Sequence, residues 1–155
     1  LGRGMLRKEV YEAYQRLYAD SRKMGYDLKV VSAYRSYATQ SVVYNRYLLT
    51  DPVEVVDTYS ARPGHSEHQT GLCCDITDRY YPIKDSTIEN TETFKWLKEH
   101  CAEYGFVLRF PVDKADMTGV MYEPFHFRYV GVEAAQYMQE NNLCLEEFVK
   151  MFKQQ

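Results

Sequence analysis

One stretch constrains this chain more than any other: Pro63-Gly-His-Ser-Glu-His-Gln-Thr-Gly-Leu-Cys-Cys-Asp75. It supplies His65, His68 and Asp75 as metal-ligand types, with Gly64 and Gly71 to let the backbone turn. A second segment, Glu123-Pro-Phe-His126-Phe-Arg-Tyr129, adds a carboxylate and another imidazole. Two imidazoles, a carboxylate ligand and a spare Glu are the components of a catalytic zinc site, which has three protein ligands, an open position for water and a general base. The candidate ligands are His68, Asp75 and His126, with Glu123 as the base.

Spacing sharpens this reading. The pattern is not His-Glu-x-x-His, so the ligands do not share one helix face. Leu72 to Thr77 is short and apolar, as in a buried strand. Asp75 is therefore placed on a strand and His68 on the loop that enters it. Phe125 to Val130 is rich in aromatic and β-branched residues, which puts His126 on a second strand. Ligands on two neighbouring strands would make a rigid site. A lone histidine is more often a hydrogen-bonded core residue, and Asp75 taken alone could be a turn residue. However, Asp75 follows an apolar run, and a buried carboxylate needs a partner that a metal can provide. Glu67 is a competing base, but its side chain is expected to point away from His68. His65 is expected to be cleft-side or exposed, and His100 to sit on the surface of a helix.

The combination Ser66-x-His68-x-x-Gly71-x-Cys73-x-Asp75 followed by Glu123-x-x-His126 resembles the signature of the VanY-type zinc D,D-carboxypeptidases. Their superfamily also holds the D-Ala-D-Ala dipeptidases and the zinc fold of Hedgehog signalling domains. The resemblance extends to Ser32-Ala-Tyr-Arg35-Ser36, Gln40, Tyr104-Gly-Phe106 and His126-Phe-Arg-Tyr-Val-Gly131, and runs from about position 25 to 131. Cys73 departs from the family's usual Ala, and Phe125 from its frequent Trp. The resemblance implies a Zn2+ cofactor and hydrolysis of a peptide bond near a D-alanine terminus. The implied substrate is the stem peptide of bacterial peptidoglycan or its precursors, and the product is the released D-Ala. It also implies that Arg35 lines the substrate site, with Gln40 and Ser66 beside it. An Arg fork can pair bidentately with a terminal carboxylate or steady an oxyanion. Two alternatives stay open: an L,D-carboxypeptidase acting on the stem tetrapeptide, and a zinc-bearing binding module without catalysis.

Length and composition set the remaining limits. A chain of 155 residues suits one metallopeptidase domain spanning 1–155. Its 45% hydrophobic content excludes a disordered chain. A net charge of -3 without a Lys/Arg cluster argues against nucleic acid as a partner. No apolar run reaches the ~18 residues that span a bilayer, and a monomer is expected. No stretch of the given sequence reads as a signal peptide. The opening Leu1-Gly-Arg-Gly-Met5 is read as a start from which an export signal or anchor has been removed. That reading favours an extracytoplasmic place in the bacterial cell envelope, with the cytoplasm as the alternative. Fifteen tyrosines suit either the wall of a peptide-binding cleft or ordinary core and surface. Cys73, Cys74, Cys101 and Cys144 match no Cys-x-x-Cys zinc pattern and read as free buried thiols. Cys73 shares a strand face with Asp75 by period two, so it could line the metal site, and a thiolate ligand there stays open.

Periodicity predicts helices over Leu6–Met24, Tyr37–Leu49, Thr91–Glu103, Val132–Glu140 and Leu145–Phe152. A short helix follows Asp51 as N-cap, with Pro52 at its first position. Strands are predicted at Leu28–Ala33, Leu72–Thr77, Phe106–Phe110 and Phe125–Val130. Asp78–Asn90 reads as a surface loop and Pro111–Gly119 as a charged rim or lid. Without strict βαβ alternation, the expected class is α+β, with a small central antiparallel sheet carrying the site and helices flanking it.

Overall fold

The computed structural model describes residues 5–81 and 83–153. The first four residues, on which the reading of a removed leader partly rests, lie outside the described residues, as does Pro82 of the predicted surface loop. Four strands form one sheet: β1 (Leu28–Ser32), β2 (Cys73–Asp78), β3 (Phe106–Leu108) and β4 (His126–Tyr129). Their order is β1-β2-β4-β3 and every pairing is antiparallel. This is the α+β arrangement expected from the order of the elements.

Seven helices accompany the sheet among the described residues: α1 (Lys8–Lys23), α2 (Tyr37–Tyr47), α3 (Val53–Val56), α4 (Glu92–His100), α5 (Ala115–Thr118), α6 (Val132–Glu140) and α7 (Leu145–Phe152). Helix α1 buries Val10, Ala13, Leu17 and Ser21, a stripe at three- and four-residue spacing. That stripe packs with Cys74, Ile76, Phe106 and Phe127 from one face of the sheet and with Phe94 and Leu97 from α4. Cys74, Ile76 and Phe127 alternate with Cys73, Asp75 and His126 along β2 and β4. The core therefore occupies one face and the chemistry the other.

Several boundaries differ from expectation for local reasons. Ser36 and Thr91 are N-caps whose hydroxyls accept from the backbone N–H three residues on, so α2 begins at Tyr37 as expected and α4 one residue later than expected, at Glu92. The N-cap of α3 is Pro52, not Asp51, and Asp51 instead accepts a hydrogen bond from Tyr59 at 2.9 Å. The predicted loop after β2 contains a 3-10 turn at Ser86–Asn90, and α4 tightens into another at Cys101–Tyr104. Gly105 follows at φ 88°, in the left-handed region that ends the turn. No helix among the described residues is long and apolar enough to cross a membrane.

Candidate metal centre and substrate cleft

Strand register builds the site. Asp75 of β2 stands directly opposite His126 of β4, and Cys73 opposite Arg128, so all four side chains leave the same face of the sheet. His68 arrives from a 3-10 turn, Glu67–Thr70, which Gly71 closes at φ 71°. A Cβ on Gly71 would also lie 3.3 Å from the Arg7 side chain, so glycine answers both the backbone angle and the close approach. The Ala33 carbonyl lies 2.6 Å from His68 Nδ1. A proton on that nitrogen leaves Nε2 as the free donor, the orienting device common to metal-binding histidines.

Three donor atoms converge. Asp75 Oδ1 lies 3.4 Å from His68 Nε2 and 3.2 Å from His126 Nδ1. Neighbouring donors on a tetrahedral zinc, bound at about 2.0–2.1 Å, are about 3.3 Å apart. Asp75 is 1% exposed, and its Oδ1 has no hydrogen-bond partner of proper geometry among the described residues. A buried carboxylate oxygen without a partner is costly, and a cation between the two imidazoles removes that cost. Lys84 Nζ donates to the other oxygen, Oδ2, at 2.8 Å, so Asp75 presents a single free oxygen to the site. Burial works against ionisation of Asp75, but His126 and His68 outweigh it and hold the carboxyl well below its ordinary range. The residues present therefore fit a zinc ion.

Glu123 sits beside these donors, with Oε2 3.6 Å from His126 Nδ1. Burial pushes its pKa up, the charge of His126 opposes this, and that of Asp75 adds to the rise. A carboxylate shifted upward is a better proton acceptor at neutral pH.

The site opens into a cleft of about 260 Å³ lined by Arg35, Gln40, Ser66, Glu67, Lys84 and Glu123, among others. Arg35 forms no ion pair among the described residues. Its guanidinium donates instead to Gln40 Oε1 at 2.8 Å and Ser32 Oγ at 3.1 Å, which leaves its charge available. Gln40 is almost fully buried and also donates to the Ala61 carbonyl at 2.7 Å. It acts as a brace for Arg35 as well as part of the wall. Ser66 is buried, and its hydroxyl makes no hydrogen bond among the described residues. His65 is exposed at the cleft, while His100 pairs with Glu103 on the surface of α4. Of the tyrosines, Tyr47 and Tyr59 line the cleft, and Thr118 of the predicted rim segment does too. All four cysteines are free and buried.

Glu67, expected from the sequence only to point away from His68, engages the other imidazole. Its side chain turns inward, placing Oε2 3.4 Å from His126 Nε2, the ring nitrogen that faces away from Asp75. Two cations hold it there: Arg109 donates from Nε at 2.8 Å and Arg128 pairs through a terminal nitrogen at 2.9 Å. Arg109 in turn grips Glu146 of α7 with both terminal nitrogens, at 2.9 and 2.5 Å. Burial alone would raise the Glu67 pKa, but His126 and Arg109 bring it down to about 2. Sequence reasoning missed Arg109, Lys84 and Glu146. The Arg-Phe-Pro run at Arg109 carries no motif, and Lys84 and Glu146 stand in segments whose charge alone marks them as surface.

A donor triad beside a sheet face, a neighbouring carboxylate with a raised pKa and an arginine without an ion pair among the described residues fit a metal site that opens on a cleft able to take a carboxylate-bearing ligand. The comparisons with known proteins agree. The family model described as VanY, D-alanyl-D-alanine carboxypeptidase, matches residues 3–132, and the chain belongs to that family. It is 38% identical over 149 residues to the protein YodJ of Bacillus subtilis (strain 168), covering 96% of this chain and 55% of that protein. It is 34% identical to a D-alanyl-D-alanine carboxypeptidase of Enterococcus faecium, over 96% of this chain and 45% of the relative. The chain thus spans about half the length of these curated relatives.

Among solved structures, the LdcB LD-carboxypeptidase superposes with a TM-score of 0.88 at 38% identity, covering 94% of this chain and 68% of that one. The vancomycin-resistance D,D-pentapeptidase VanY, solved in complex with Zn(II), superposes with a TM-score of 0.80 at 32% identity, over 93% and 83% of the two chains.

Proposed function

We propose that this chain is a zinc-dependent D,D-carboxypeptidase that removes the terminal D-Ala from peptidoglycan stem peptides or their precursors. The observation that carries this reading is the unpartnered Asp75 Oδ1 between His68 Nε2 and His126 Nδ1, with Glu123 alongside. His68, Asp75 and His126 are the proposed ligands. When bound there, zinc activates a water molecule and polarises the scissile carbonyl. Glu123 takes the water's proton and delivers it to the leaving amine. Arg35, braced by Gln40, pairs with the substrate's terminal carboxylate, and the unengaged hydroxyl of Ser66 hydrogen-bonds the peptide. Glu67, pinned by Arg109 and Arg128, orients the His126 ring from its far side.

The zinc complex of the VanY relative and the name of the Enterococcus faecium relative support this reading. The likeness to LdcB keeps an L,D-carboxypeptidase acting on the tetrapeptide as a second reading. The raised Glu123 and the unpaired Arg35 speak against a zinc module without catalysis, since such a module needs neither. The groups named here all come from one chain, so the reading requires no second copy, and a monomer is proposed. A peptidoglycan substrate favours the bacterial cell envelope as its place of action, with the cytoplasm as the alternative for a precursor substrate. The test is incubation with muropeptides of defined stem length, read by mass spectrometry. Loss of one D-Ala from the pentapeptide, with the tetrapeptide intact, is the expected result. Trimming of the tetrapeptide alone would move the activity to the L,D class, and no cleavage of either by zinc-loaded protein would overturn the proposal.

A further inference from the structure

Cys73 and Asp75 leave the same face of β2, two positions apart. Cys73 is wholly buried, and its Sγ and ring nitrogens of His68 and His126 all lie within 4.8 Å of one another. A second observation points to a ligand at the same place: the carboxylate oxygen of Asp75 that faces both imidazoles is buried without a hydrogen-bond partner. Cys73 therefore stands beside the same two imidazoles that face Asp75, where three donors already suffice for a catalytic zinc. Resting on the zinc site proposed above, we infer that Cys73 Sγ is a fourth protein donor to the metal, completing a set of two nitrogens, one oxygen and one sulfur.

The consequence is chemical. A soft thiolate favours zinc over harder cations that prefer oxygen donors. Catalytic zinc can expand to five positions, so a fourth protein donor still leaves room for the water that the proposed reaction uses. The thiolate therefore tightens metal retention while the water takes the additional position.

X-ray absorption at the zinc edge tests this on the intact chain, wild type beside Cys73→Ala. The wild-type protein is expected to show a sulfur shell at about 2.3 Å alongside nitrogen and oxygen at about 2.0–2.2 Å. Cys73→Ala should lose the sulfur shell, keep a nitrogen and oxygen shell, and yield its zinc more readily in a chelator competition. A wild-type spectrum with bound zinc and no sulfur shell would overturn the inference while leaving the three-ligand site standing. Absence of bound zinc from both proteins would overturn the site and the inference together.

Discussion

Glu67 Oε2 and His126 Nε2 lie 3.4 Å apart, on the side of the imidazole opposite the nitrogen that faces Asp75. This relationship separates two carboxylates that composition alone leaves interchangeable. Glu123 is half-buried beside the donor triad with a raised pKa, whereas Glu67 is held at about 2 by His126 and Arg109 against the effect of burial. A carboxylate held that low is a poor proton acceptor. In the proposed reaction Glu67 is therefore a positioning group and Glu123 the base.

The first prediction follows from that division. Glu67→Gln should weaken zinc binding by roughly 10- to 100-fold, as loss of an orienting partner does at other metal-bound histidines. Glu123→Gln should keep one zinc per chain and lose roughly 10²- to 10⁴-fold in turnover. Zinc titration with a competing chelator, read beside the rate under saturating zinc, checks both. Equal zinc affinity in Glu67→Gln and wild type would remove the positioning role.

Arg35 makes a separate prediction. Arg35→Lys keeps the charge but cannot offer the two-pronged fork, and it leaves Gln40 Oε1 without its present partner. Its KM for a stem peptide should rise. Amidating the substrate's C-terminus should weaken the wild type strongly and the variant little, because either change alone already breaks the same guanidinium–carboxylate pair. Equal losses in the two proteins would assign Arg35 to another task.

The third prediction concerns pH and runs in opposite directions at two sites. Burial lowers the pKa of His68, but Asp75 and Cys73 outweigh it and raise it from 6.5 to about 9 in the metal-free protein. Since zinc needs the neutral ring, uptake at pH 7 should release protons, and apparent zinc affinity should keep rising up to about pH 9. The stability that this raised pKa gives the metal-free fold is complete below pH 6.5 and is lost as pH rises through about 9. For Glu67, lowered from 4.5 to about 2, the contribution is complete above pH 4.5 and is lost as pH falls through about 2. Denaturant melts of chelated protein across this range should show both flanks.

Gly105 gives a prediction about the scaffold. A Cβ there would meet Tyr129 Cε2 at 2.7 Å and the backbone of Gly131 and Val132 at 3.1 Å, and the φ of 88° is itself unfavourable for other residues. Gly105→Ala should cost about 2 kcal/mol or more, read as a drop in the denaturant midpoint. A midpoint unchanged from wild type would show that the corner between α4 and β3 can relax.

Much of the site was legible because its members belong to short segments. His68 and Asp75 flank one turn, and Glu123 and His126 share another, so local spacing and the alternation of strands locate them. The register that sets Asp75 opposite His126 could be expected from two adjacent strands. What could not be read depends on distance along the chain. The inward turn of Glu67 is imposed by Arg109 and Arg128, more than forty positions later. The hold of Lys84 on Asp75 Oδ2 comes from a polar loop that carries no period at all. Residues of this kind become functional only when the tertiary fold brings their charges together.

The central claim is that one zinc ion sits among His68 Nε2, Asp75 Oδ1 and His126 Nδ1. Anomalous scattering from crystals grown with zinc, collected across the zinc edge, tests it most directly. The account predicts one peak about 2.0–2.2 Å from each of those three atoms. A peak bound instead through His126 Nε2 and Glu67, or none within reach of Asp75 in a crystal that contains zinc elsewhere, would contradict it.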